Sequence, residues 1–153
     1  MSKVILQLPT DLAANIDARY KGAQLESVIA IYLRPHQNMY LAESIDILPE
    51  CAYRRQTKRV SSISGQYVKG IIEHCLKQKF AGFLLMHNHL IKIPYASLSS
   101  TDKQAHKKVD EYLEKHHPEM LYGTTVYTRG RCSIRFNRGY SNIVNRSLKK
   151  MAG

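Results

Sequence analysis

Acidic residues are scarce in this chain. There are 12 Asp plus Glu against 23 Lys plus Arg in 153 residues, a formal net charge of +11. From Met120 to Gly153 there is no acid at all, while Arg129, Arg131, Arg135, Arg138, Arg146, Lys149 and Lys150 all fall there. A second basic cluster is Arg54, Arg55, Lys58 and Arg59. Such asymmetry suits an acidic partner, whether nucleic acid, an acidic protein face or an anionic surface. Long apolar runs are also missing. No stretch reaches the 18 or more residues of a membrane-spanning helix, so no membrane association is expected. The opening MSKVILQLPT lacks the cleavable apolar segment of a secretory signal, which points to a cytoplasmic protein. Cysteine is sparse too. Cys51, Cys75 and Cys132 are widely spaced and odd in number, which excludes a disulfide framework and a CxxC metal knuckle and leaves ordinary thiols. Repeats, low-complexity tracts and Pro/Gly/Ser linkers are absent. One domain over residues 1–140, followed by a basic tail over 141–153, is therefore expected.

What is present is a core-forming pattern, with 44% hydrophobic residues. Residues 3–8 read as a short strand, and Thr10 or Asp11 is placed to cap a helix running to about Tyr20. SVIAIYL (27–33) is a β-branched apolar run suited to a buried strand, and MYLAESIDIL (39–48) reads as its returning partner across a turn. Residues 53–63 are basic and end in an extended VSSIS. Val68, Ile71, Ile72, Cys75, Leu76 and Phe80 form the 3,4-spaced stripe of an amphipathic helix started by Ser64 or Gly65. AGFLLMHNH (81–89) is a buried central strand with a polar tip. A loop (90–98) leads to a helix over about 101–116, and LYGTTVYT (121–128) and CSIRFN (132–137) make a closing hairpin at Arg129-Gly130. Strands alternating with two to three helices predict an α/β domain around a mixed or antiparallel sheet.

The chemistry sits at His87-Asn88-His89 and at Ser99-Ser100-Thr101-Asp102. Residues i and i+2 of a strand point to one side, so His87 and His89 can converge on one ion. Asp102, in the first turn of the next helix, offers a carboxylate. Two imidazoles and one carboxylate leave a fourth position for water, the arrangement of a catalytic zinc site, with one Zn2+ per chain expected. The same Ser-x-x-Asp also fits an N-terminal capping box. The remaining histidines, His36, His74, His106, His116 and His117, show no converging pattern and read as structural or exposed.

Taken in order, these motifs resemble the JAMM signature of the MPN metalloprotease family, in its prokaryotic JAB-like form. In that family a strand ends in HxH, a loop follows, S-x-x-D opens the next helix, and an upstream glutamate precedes a core strand. The resemblance spans roughly residues 3–137 and implies an MPN-like, cytidine-deaminase-like mixed sheet flanked by helices. It implies zinc ligands at His87, His89 and Asp102, a general base at Glu26 in QLESVIAIYL, and an oxyanion donor at Ser99. From the residues alone, Glu43, Glu50 and Glu73 are also available as the base. The implied activity is that of a zinc isopeptidase or peptidase acting after the C-terminal tail of a ubiquitin-like protein, with that tail bound as an added strand. E1-like or E2-like conjugation enzymes as partners, and a homodimer, come with the same analogy. Two departures are visible: nine residues rather than seven separate His89 from Ser99, and Leu90 stands where a proline commonly follows. The text VSSISGQYVKGIIEHCLKQKFAGFLLMHNH also looks like the RadC-like branch, in which the basic surface would face nucleic acid. A non-catalytic binding module is the third reading.

Overall fold

A computed structural model of the chain describes residues 4–90, 100–128, 131–137 and 141–143. The elements are β1 (Val4–Gln7), α1 (Thr10–Tyr20), β2 (Val28–His36), β3 (Met39–Ile47), a 3-10 turn at Glu50–Ala52, β4 (Tyr53–Gln56), β5 (Arg59–Ile63) and α2 (Gly65–Gln78). They continue with β6 (Gly82–Asn88), α3 (Ser100–His116), β7 (Leu121–Thr128), β8 (Arg131–Phe136) and β9 (Ser141–Ile143). The domain is thus mixed α/β. Seven strands form one sheet in the order β8-β7-β6-β2-β3-β1-β9, and β4 and β5 form a separate hairpin. β6 lies between antiparallel β2 and parallel β7, and all seven of its residues are buried. A strand covered on both faces has no use for alternation, which is why FLLM runs unbroken.

Alternate residues of β6 feed two cores. Leu84 and Met86 join Leu12, Ala13 and Ile16 of α1 on one face. Phe83 and Leu85 join Val68, Ile71 and Ile72 of α2 and Leu113 of α3 on the other. His87 continues the second series and Asn88 the first, so the period of two carries the histidine to the α2/α3 side. Gly82 at the strand's entry is required by packing, because a Cβ there would lie 1.8 Å from the carbonyl oxygen of Leu121.

Several local expectations are modified. Helix α1 has Pro9 at its N-cap position, extended and without a side-chain cap hydrogen bond, rather than Thr10 or Asp11, which already lie in the first helical turn. Ser64 does cap α2, its hydroxyl accepting from the Tyr67 amide at 3.3 Å. Leu76, counted in the apolar stripe, is 47% exposed. The basic stretch 53–63 is a two-stranded hairpin turned at Thr57, a positive-φ residue. Ser141–Ile143, assigned from sequence to the tail, pairs in parallel with β1. Cys51 is exposed and Cys75 buried, where loss of water pushes the Cys75 thiol up to about 12. Among the described residues no helix is long and apolar enough to cross a membrane.

Candidate metal and acid–base site

His87 ends the buried run of β6, and His89 follows one residue beyond the strand, its amide donating to the Tyr127 carbonyl at 2.9 Å. Both side chains are only 8% exposed. Their rings are 5.0 Å apart at 60°, and the two Nε2 atoms are separated by 3.2 Å. That distance tests the fit of a metal. Two nitrogens each about 2.05 Å from one tetrahedral ion stand roughly 3.3 Å apart. The histidine pair is at hydrogen-bond distance, and that same spacing fits two ligands to one zinc. Asp102, the third ligand expected from sequence, belongs to the first turn of α3, the helix packed on this face of the sheet. Its side chain lies outside the described residues, as do Ser99 and the loop 91–99. Among the described residues, which thus leave out the Asp102 carboxylate, no group of three or more His, Cys, Asp or Glu is arranged to hold a metal ion.

Glu26 stands two residues before Val28, which pairs directly with His87. It is 3% exposed and is held at three points by the basic hairpin. Its amide donates to the Lys58 carbonyl at 2.9 Å, its carbonyl accepts from the Arg55 guanidinium, and its Oε1 accepts from the Val60 amide at 2.9 Å. The Val60 amide is the one hydrogen bond found to its carboxylate among the described residues. The rival carboxylates are differently employed. Glu43 is exposed and forms a two-pronged pair with Arg34 at 2.6 and 2.8 Å. Glu50 is exposed and grips Arg55, whose guanidinium holds that carboxyl down at about 2. Glu73 lies exposed on α2. Of the four, only Glu26 is buried beside the histidine strand.

Sequence reasoning gives Asn88 no role, yet its side chain ties the two halves together. Oδ1 accepts from the Ser27 amide at 2.8 Å, and Nδ2 donates to the Leu25 carbonyl at 3.2 Å. The residues on either side of Glu26 are therefore lashed to the residue between the two histidines. Tyr20 adds to this, its hydroxyl lying 3.0 Å from the Ser27 carbonyl and 3.2 Å from that of Met86. Burial pushes the Tyr20 hydroxyl well above its ordinary value, so it stays a donor. The only sequence signal for Asn88 is its place between two candidate ligands; its partners, some 60 residues away, become visible only with the β2–β6 register. Asn88→Ala strands the buried Ser27 amide, which costs about 1–3 kcal/mol. For a domain of this size the melting temperature falls by roughly 3–10 °C. Thermal unfolding checks this, and an unchanged transition would mean that Asn88 is no clamp.

No family model matches the chain, and no curated protein matches it. The functional reading accordingly rests on the residues and their geometry.

Proposed function

We propose that the chain is a zinc-dependent hydrolase of the JAMM type, an isopeptidase or peptidase acting after the C-terminal tail of a ubiquitin-like protein. The observation that carries this reading is the 3.2 Å Nε2 spacing of His87 and His89, with the buried Glu26 two residues before Val28, the strand partner of His87. His87, His89 and Asp102 would hold the ion. When bound, zinc lowers the pKa of a coordinated water towards ~7 and polarises a carbonyl. Glu26, anchored through Oε1, takes the attacking water's proton on its other oxygen and returns it to the leaving amine. Ser99 hydrogen-bonds the oxygen on which negative charge develops. The substrate tail would join β5, which among the described residues pairs with β4 alone; its Val60 amide is taken by Glu26, so the tail would use the rest of that edge. The test is elemental analysis of protein purified without added metal or chelator. About one zinc per chain is expected. No zinc, and none taken up on addition, would remove the hydrolase reading.

A second reading has one observation in its favour. Arg54, Lys58 and Arg59 are exposed on the hairpin that also holds Glu26. A RadC-like role at nucleic acid would use them as phosphate contacts. Three such contacts predict a slope of about −3 for log K against log salt on duplex DNA. Reversing all three charges should flatten that slope. Duplex affinity that is absent at low salt would dismiss this reading.

A further inference from the structure

A cavity of about 390 Å3 opens beside His87 on the α2/α3 face of the sheet. Ile63 of β5, Val68 of α2 and Val109 of α3 supply its walls, and Tyr122 of β7 is among its lining residues. Its size is that of a small-ligand pocket. A substrate tail built only of small residues would leave this space beside His87 unfilled.

One polar group in the lining is buried and has an unused atom. His106 is 4% exposed, stacks on Tyr122 with ring centroids 5.1 Å apart, and binds Asp110 through Nε2 at 2.9 Å. Its Nδ1 has no hydrogen-bond partner among the described residues. In the neutral ring that gives Nε2–H to the carboxylate, Nδ1 is an acceptor, and its complement is a hydroxyl or N–H donor. The charged groups of the lining are Lys69 and Lys108, with no acid among the described lining residues. The complement of that charge is an anion next to the buried group.

We infer that this cavity selects the substrate: it takes a tyrosine side chain of the peptide, with a carboxylate residue beside it. The inference deepens the hydrolase reading and rests on it for the peptide's course past His87. The tyrosine ring fills the apolar space, its hydroxyl donates to His106 Nδ1, and the neighbouring carboxylate meets Lys69 and Lys108. A peptide is favoured over a nucleotide because β5 lines the same cavity and, among the described residues, pairs with β4 alone, so an extended chain can meet the edge groups that Glu26 does not already engage.

Calorimetric titration of the full chain tests this with four capped probes, acetyl-Glu-Tyr-Gly amide, its Glu-Phe-Gly and Gln-Tyr-Gly analogues and acetyl-Gln-Gly-Gly amide. The Glu-Tyr probe should bind best, the Phe analogue about fivefold more weakly for one lost hydrogen bond, and the glycine probe not measurably. His106→Leu should level Tyr and Phe, and Val109→Trp, which fills the cavity, should abolish binding. Should Val109→Trp fail to fold, the exposed pair Lys69→Glu with Lys108→Glu still decides: it should remove the preference for the Glu-Tyr over the Gln-Tyr probe. Equal binding of the glycine and tyrosine probes, indifference to both sets of variants, or displacement of the peptide by AMP or UMP at lower concentration would overturn the inference. Binding needs no turnover, so the two readings fail separately. Peptide binding without zinc leaves the pocket and removes the hydrolase; zinc without peptide binding does the reverse.

Discussion

Replacing His87 by alanine should strip the chain of zinc and of any cleavage while leaving it folded. The reason is geometric. His87 and His89 are the two imidazoles that meet at 3.2 Å, and neither makes a two-point site alone. Loss of groups that merely orient a ligand already costs about 10–100-fold in metal affinity. Loss of a ligand itself costs more, which is enough to empty the site during purification. The fold should survive because His87 lies at the end of β6, beyond Phe83 and Leu85, which carry the packing of that face. The measurement is zinc per chain by mass spectrometry beside far-ultraviolet circular dichroism, with exposed His36→Ala as the matched control. Retention of zinc in the folded His87→Ala chain would place the metal elsewhere and sink the proposed ligand set.

The histidine pair is legible in the sequence because it depends on a local rule: side chains two apart on a strand share a face. The central placement of β6 is legible for the same kind of reason, since an unbroken FLLM run needs two covered faces. The two long helices and the β2–β3 hairpin follow from periodicity and turn residues. What stays hidden depends on register between distant segments. Nothing local in QLESVIA says that Ser27 and Leu25 will meet Asn88, or that the Val60 amide will reach the Glu26 carboxylate. The hairpin over 53–63 shows no turn signal because Thr57 occupies the positive-φ position, where glycine or asparagine would announce it. The strand at Ser141–Ile143 is invisible because three residues carry no periodic signal; it exists by pairing with β1. His106 reads from sequence as structural or exposed, and it is buried against Tyr122. Its place in a cavity with His87 comes from α3 crossing the face of β7, a tertiary fact.

Glu26→Gln should separate metal binding from chemistry. Glutamine keeps a carbonyl oxygen for the Val60 amide, so the hairpin clamp formed by Lys58, Arg55 and Val60 stays closed. The other carboxylate oxygen becomes an NH2 group, which donates and cannot take a proton from water. Zinc content and melting temperature should therefore match the native chain. Turnover of a ubiquitin-like fusion should fall about 10²–10⁴-fold, the usual contribution of a general base, or roughly 3–5 kcal/mol of barrier. Glu26→Asp offers the complementary case: it retains a carboxylate but shortens the reach to the Val60 amide, so it should lose both activity and some thermal stability. Comparing single-turnover cleavage with zinc content in the same preparations gives the decision. Full activity in Glu26→Gln would move the base to another residue. The other three carboxylates are poorly suited to inherit the role, since Glu43 and Glu50 are committed to Arg34 and Arg55 and Glu73 faces solvent on α2. That outcome would therefore count against a glutamate general base altogether, beyond the one assignment.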